Sequence, residues 1–256
     1  MTKSCMPPAC TNTSSWFMPS LLAAQRRKHV DDAVTRILAS IFRLGVQSSC
    51  SSPNCTDWFK RTVTTPEHVA LARYIAAESI VLLKNDGVLP LLGAGTKKVS
   101  SIAVVGEAAV AKPYDPAGAG QGEGVWNQGD LYSGGGSGHI AMAPKGNQYV
   151  KPLDGIARRA KLAGVKVVAS TTNDTARAVD AAKQADVTIV VAGTTGQEAK
   201  DRSSLHLDGN ADNLIAAVAK VSKRVVVVMQ IPGQVLTPWR DSVHGIMAMF
   251  LGGQAT

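Results

Sequence analysis

Val187-Thr188-Ile189-Val190-Val191-Ala192, then Asn210-Ala211-Asp212-Asn213-Leu214-Ile215-Ala216-Ala217-Val218, then Val225-Val226-Val227-Val228-Met229-Gln230-Ile231 decide the fold of this chain. The first and third stretches are short, β-branched and continuously apolar, as expected of strands buried on both faces. The stretch between them places Leu214, Ile215 and Val218 at helical spacing. Working outward, strands are predicted over 99–105, 165–169, 187–192, 225–231 and 245–250, and helices over 152–163, 174–184 and 210–221. Strands alternating with helices imply an α/β class, a mostly parallel sheet flanked by helices on both faces.

Upstream the pattern changes. Residues 1–29 carry Pro7-Pro8 and several serines and threonines, and are expected to be irregular. A helix is predicted over 30–44, where Val34, Ile37, Leu38, Ile41 and Phe42 form an apolar stripe, Asp31 and Asp32 occupy the first turn, and Gly45 ends it. The Ser/Pro/Cys-rich residues 47–65 read as a linker. A second helix is expected to start at N-cap Thr65 with Pro66 in its first turn and to run to about residue 83, before the turn Asn85-Asp86-Gly87.

The chain has 256 residues, 27 Lys and Arg against 19 Asp and Glu, and a net charge of +8. That balance invites a nucleic-acid reading, but the cations are scattered apart from Arg26-Arg27-Lys28 and the 5% of aromatic residues do not interleave with them, so no nucleic-acid partner is expected. The longest apolar runs, 225–229 and 246–251, are far shorter than the roughly 20 residues of a membrane span, so no membrane partner is expected either. The four cysteines fall in two Cys-x4-Cys pairs, Cys5 with Cys10 and Cys50 with Cys55. That spacing suits disulfides of open connectivity better than zinc. The glycosylation sequons at Asn12, Asn54 and Asn173 point the same way, to a secretory protein, although residues 1–20 do not read as a signal peptide. No metal and no cofactor are expected.

Two segments could carry chemistry. Residues 107–150 form a long, glycine-dense connection containing Gly134-Gly135-Gly136-Ser137-Gly138. Its glycines neither follow the first strand at once nor precede Lys-Ser/Thr, which excludes the dinucleotide and phosphate-loop arrangements. Tyr114, Trp126 and Tyr132 interrupt the glycines, and aromatics beside open backbone suit sugar faces. The second segment, 194–207, leaves the C-terminal end of a buried strand, where open α/β sheets place their ligand crevices. Its carboxylates are Glu198 and Asp201. Arg202 is expected to pair with Asp201, leaving Glu198 free to act as a general acid. His206 is expected to be exposed or structural. No Gly-x-Ser-x-Gly elbow is present, and the cysteines avoid the α/β region, so a nucleophilic triad is not supported.

Five groups of motifs in order resemble glycoside hydrolase family 3, the β-glucosidase family. Asp31-Asp32-Ala33-Val34-Thr35-Arg36-Ile37-Leu38 with Phe42-Arg43-Leu44-Gly45 is similar to the last helix of that family's barrel domain. Ala77-Glu78-Ser79-Ile80-Val81-Leu82-Leu83-Lys84-Asn85 with Leu89-Pro90-Leu91 looks like the entry into its second domain, and Val104-Val105-Gly106, residues 134–138 and Glu198-x-x-Asp201-Arg202-x-x-Leu205-x-Leu207 follow.

The resemblance implies a barrel-end helix over 30–46 and an α/β sandwich domain over 66–256, cut short at its C-terminal end, so that the chain is expected to be a fragment. It implies a retaining glycosidase acting on terminal β-linked glucose or xylose, with an aspartate nucleophile on a barrel absent from this chain. The acid/base role falls on Glu198, with Glu123 as the alternate. The expected substrate contacts are Trp126, Tyr132, Gly135, Ser137 and Arg202. The fragment alone is expected to be inactive, and the rival reading is a non-catalytic carbohydrate-binding module. The chain departs from the family pattern at two places: the family usually has Leu-Pro where this chain has Leu207-Asp208, and often Gln where it has Ala211.

Overall fold

A computed structural model describes residues 24–46, 63–93, 98–111, 129–140 and 149–255. The four cysteines, Glu123, Trp126 and the greater part of the 47–65 segment lie outside the described residues. The chain divides into two compact units, Met1–Val63 and Thr64–Thr256.

In the first unit, helix α1 spans Ala24–Arg43. It begins six residues before the expected start, so 24–29 are helical rather than irregular, and Asp31 and Asp32 lie beyond the first turn, where the helix dipole no longer favours them. Gly45, at φ 65°, closes the end by donating its N–H to the Phe42 carbonyl at 3.1 Å. Along the stripe, Val34, Ile37, Leu38 and Phe42 are all exposed.

The second unit opens with α2, Pro66–Glu78, whose N-cap Thr65 accepts from the His68 N–H at 3.3 Å. This helix does not continue to residue 83. It stops at Glu78, and Val81–Asn85 forms strand β1. The run Ile80-Val81-Leu82-Leu83 is compatible with either conformation by its own pattern, and its backbone groups are satisfied by antiparallel pairing with a strand from the far end of the chain. Lys84 fixes that junction, its ammonium reaching the carbonyls of Arg240 at 3.1 Å and Val243 at 2.7 Å and the Asp86 carboxylate at 3.1 Å.

The remaining elements follow the predicted alternation: β2 (Ser101–Val105), α3 (Pro152–Leu162), β3 (Lys166–Ser170), α4 (Thr175–Lys183), β4 (Val187–Gly193), α5 (Ala211–Ala219), β5 (Val225–Gln230) and β6 (Gly245–Ala248). The six strands lie in the order β1-β6-β5-β4-β2-β3, with every pair parallel except β1 and β6. All seven residues of β4 are buried, as a central strand covered on both faces demands. On one face Val105, Val190, Val227 and Ile246 pack with Leu214, Ile215 and Val218 of α5 and Ala178 of α4. On the other, Val104, Ile189, Val191 and Val226 pack with Ala160 of α3. The period-two alternation of neighbours within one continuous apolar run assigns them to opposite layers.

The chain turns from β2 to β3 on one side and then crosses to β4 on the other, so the C-terminal ends of β2 and β4 form the topological switch point of the sheet. Gly106 closes β2 there, donating to the Ser170 carbonyl at 3.0 Å. No helix among the described residues is long and apolar enough to cross a membrane.

Candidate functional site

Two loops meet above the switch point, 129–140 and the 194–208 connection between β4 and α5. The first is folded by its own polar groups. Asp130 is buried, and its Oδ1 accepts from the N–H groups of Tyr132 at 2.7 Å and Ser133 at 2.8 Å, an Asx-type turn. From below, the fully buried Gln230 at the end of β5 donates to the Leu131 carbonyl at 3.2 Å.

Tyr132 is 1% exposed, packs edge-on against Tyr149 at 5.5 Å between ring centroids, and donates its hydroxyl to the Ala111 carbonyl at 2.7 Å. It therefore offers no face to a sugar, contrary to the expectation for it. It anchors the loop, and burial raises its pKa above the ordinary tyrosine value.

The glycines then bring the loops into register. The Gly135 N–H donates to the Gly196 carbonyl at 2.9 Å and the Glu198 N–H to the Gly135 carbonyl at 3.0 Å, a short parallel bridge of Gly135 with Gln197. Gly135 thus contributes backbone to the site. Gly136 sits at φ 104°, and a Cβ there would lie 2.3 Å from the Glu198 Cβ and 2.7 Å from its Oε2, so only glycine admits the glutamate.

Glu198 is exposed at the edge of this surface, and its Oε2 accepts from both the Ser137 N–H at 2.7 Å and the Ser137 hydroxyl at 2.6 Å. Those two donors, the hydroxyl foremost, hold its carboxyl below the ordinary glutamate range. Any stability this contributes is present above the ordinary pKa and is lost as pH falls through the lowered folded value. A general acid needs the opposite shift, so on this chain alone Glu198 is a carboxylate at neutral pH.

Ala199, next in sequence, has φ 61° without being a glycine. Ala199→Gly is expected to raise stability by about 0.5–1 kcal/mol in thermal unfolding; an unchanged or lowered midpoint would show that the turn carries no strain.

Arg202 does not pair with Asp201. Its guanidinium donates to the Gln234 carbonyl instead, and no ion pair joins it to Asp201 among the described residues. The physical reason is local: the chain after β5 returns beside the 194–208 loop, Leu236 donating to the Leu205 carbonyl at 2.9 Å, and offers Arg202 a fixed acceptor, whereas Asp201 is exposed. Arg202 consequently ties down the loop, and Glu198 is held by Ser137 rather than left free.

His206 is exposed and its Nδ1 lies 2.7 Å from Oδ2 of Asp212, whose Oδ1 takes the Trp239 indole N–H at 2.7 Å. The structural reading of His206 fits that pairing.

Sequence reasoning passed over Asp130 and Gln230, and noted Asp208 only as a departure from the family pattern. Asp208 accepts at Oδ1 from the Thr194 hydroxyl at 2.9 Å and at Oδ2 from the Thr195 N–H at 3.2 Å, and donates its own N–H to the Gly193 carbonyl at 3.0 Å. Asp130 had a legible signal, an Asp opening a turn into a Ser/Gly run; Gln230 and Asp208 act only across the sheet or the loop neck.

At the switch point itself, Glu107, Asn173, Thr195 and Asp208 line a cavity of about 130 Å³. Oδ1 of Asn173 accepts from the Glu107 N–H at 3.2 Å, and its Nδ2 lies 2.6 Å from where a Cβ on Gly209 would sit. No group of three or more His, Cys, Asp or Glu side chains among the described residues could hold a metal ion.

Comparisons with known proteins bear on this arrangement. The sequence profile of the glycosyl hydrolase family 3 C-terminal domain matches residues 80–256. The probable β-glucosidase L of Aspergillus fumigatus is 36% identical over 243 residues, 89% of this chain and 31% of that protein. The thermostable β-glucosidase B of Acetivibrio thermocellus is 35% identical over 205 residues, 73% of this chain and 23% of that protein.

Among solved structures, a β-glucosidase from Chaetomella raphigera superposes with a TM-score of 0.69 at 30% identity, covering 96% of this chain and 34% of its own. The β-D-glucoside glucohydrolase of Trichoderma reesei gives 0.68 at 30% identity, covering 97% of this chain and 34% of its own. The chain thus spans about a third of the length of the relatives it matches.

Proposed function

Because the chain belongs to glycoside hydrolase family 3, we propose that it supplies the acid/base half of a retaining β-glucosidase or β-xylosidase, with Glu198 as the acid/base. The nucleophile then comes from a barrel domain outside these 256 residues. The domain plan proposed with it is an irregular lead, a barrel-end helix around 30–46, a linker over 47–65 and the sandwich domain from 66 onward.

The observation that carries this reading is the seating of Glu198. Two loops far apart in sequence converge to hold one exposed carboxylate at the C-terminal edge of the sheet, beyond the switch point. In the first step the barrel carboxylate attacks the anomeric carbon, the glycosidic C–O bond breaks and Glu198 gives its proton to the leaving oxygen. In the second, Glu198 as carboxylate takes a proton from the water that displaces the enzyme from the sugar.

The resting carboxyl of Glu198 is held low by Ser137, so the closed site must raise it. A nucleophile carboxylate roughly 5–5.5 Å away and the exclusion of water by barrel and substrate both act in that direction. Gly135 and Ser137 lie beside the same edge and are the described loop residues best placed to meet substrate. Trp126, and Glu123 as the alternate acid, belong to the connection outside the described residues. The secretory setting of the whole protein is part of the same proposal, resting on the cysteine pairs and sequons.

A non-catalytic sugar-binding role is less well supported, because Tyr132, one of the two aromatics of residues 107–150 within the described residues, is buried and the other, Tyr149, packs against its ring. The test is reconstitution. The chain is mixed with a separately produced family 3 barrel domain and assayed on p-nitrophenyl β-glucoside and β-xyloside. Hydrolysis by the mixture and by neither part alone is the expected result. Turnover by the chain alone at the rate of the mixture, or a stable complex without turnover, overturns the proposal.

A further inference from the structure

We propose that Asp208 is a positioning residue for Glu198, closing the neck of the loop that carries it. The inference rests on the acid/base reading of Glu198 for its functional meaning, though not for its test.

The loop leaves β4 at Gly193 and rejoins the fold at Asp208, and three hydrogen bonds shut that neck: Asp208 N–H to the Gly193 carbonyl at 3.0 Å, Thr194 hydroxyl to Oδ1 at 2.9 Å, and Thr195 N–H to Oδ2 at 3.2 Å. Both carboxylate oxygens are used, and a bond from a backbone N–H to a carboxylate is stronger than one between neutral groups. The segment so enclosed is a compact Ω-type loop.

Its distal half is tied elsewhere, by the Leu236 N–H to the Leu205 carbonyl, by Arg202 to the Gln234 carbonyl and by His206 to Asp212. Its proximal half, Thr195 to Glu198, is held by the glycine loop on one side and by Asp208 on the other. Asp208 is the clasp between the rigid strand and the residue pair Gly196 and Glu198, which dock on Gly135. The Thr194 N–H stays held by the Gln230 carbonyl at 3.0 Å, so opening the clasp frees Thr195 to turn, and with it the short bridge that aims Glu198 at Ser137.

The experiment uses the full chain without barrel or substrate. Amide hydrogen exchange and the pH titration of the Glu198 carboxyl carbon are followed by NMR in the parent, Asp208→Ala, Asp208→Asn and Ser137→Ala. In Asp208→Ala the amides of Gly135 and Glu198 are expected to lose on the order of tenfold protection while those of Val190 and Val227 keep theirs. The Glu198 midpoint is expected to move up toward the ordinary glutamate value, in the direction that Ser137→Ala moves it further. Asp208→Asn keeps an acceptor for one donor and is expected to fall between parent and alanine.

An unchanged Glu198 titration in both Asp208 variants overturns the inference. So does a loss of protection spread equally over β4 and β5, since that is what a merely structural residue would produce. Because neither readout involves turnover, failure of reconstitution would sink the acid/base reading and leave this result standing, and the reverse.

Discussion

Gly106→Ala is expected to cost the sheet domain at least about 4 kcal/mol, most of the stability of a domain at the low end of the ordinary range. Two penalties coincide. Gly106 has φ 104°, a conformation that a residue with a Cβ rarely adopts, which alone costs about 1–3 kcal/mol. The added Cβ would also lie 2.2 Å from the Val191 carbonyl oxygen, and that oxygen cannot retreat. Val191 belongs to β4, which is paired with β2 on one side and β5 on the other and is buried along its whole length. Relief would require prying the central strand from its neighbours.

Gly87→Ala is the control. Gly87 has φ 76° but nothing within 4 Å of the added Cβ, so it carries the backbone penalty alone, about 1 kcal/mol. Urea unfolding of both variants checks the pair. A Gly106→Ala loss no larger than that of Gly87→Ala would mean that the sheet yields where its packing says it cannot.

The second large effect is on catalysis. In the reconstituted pair of chain and barrel, Glu198→Gln is expected to lower kcat/KM on alkyl β-glucosides by about 10²–10⁴-fold, the usual contribution of a positioned proton donor. The loss should be much smaller on a 2,4-dinitrophenyl glucoside, whose leaving oxygen departs without a proton. That contrast separates loss of the acid from loss of fold. Glu198 is exposed and glutamine keeps an oxygen for the two Ser137 donors, so the unfolding midpoint should hold. Equal losses on both substrates would remove Glu198 from the acid role.

The residues that were read correctly share a property: their information is local. β2 to β6 and the three helices between 152 and 219 announce themselves by runs and spacings within a dozen residues, and the N-cap at Thr65 by a single side chain and a proline. Glu198 stood out because it follows a buried strand at the edge where ligands gather, and the family motif around it is contiguous.

Misreadings arose where a partner from elsewhere in the chain decided the outcome. Val81 to Asn85 is apolar enough for a helix, and it is a strand because β6, more than 150 residues away, offers it an edge. Arg202 chose a carbonyl on the returning chain over the acid beside it. Tyr132 looked like a sugar platform by composition and is a core anchor because the Ala111 carbonyl and the Tyr149 ring enclose it.

By itself, then, the sequence determined the layered α/β architecture and the family, and offered Glu198 with Glu123 as alternate for the acid, because periodicity, turn chemistry and contiguous motifs are properties of neighbouring residues. Only the tertiary structure decided the state of Glu198. It is bound through Oε2 by the Ser137 N–H and hydroxyl, which hold its carboxyl below the ordinary glutamate range. It is seated by a glycine that leaves room for it, and its loop is closed at the neck by Asp208. Each of those contacts joins atoms that the chain keeps far apart until the strands pair.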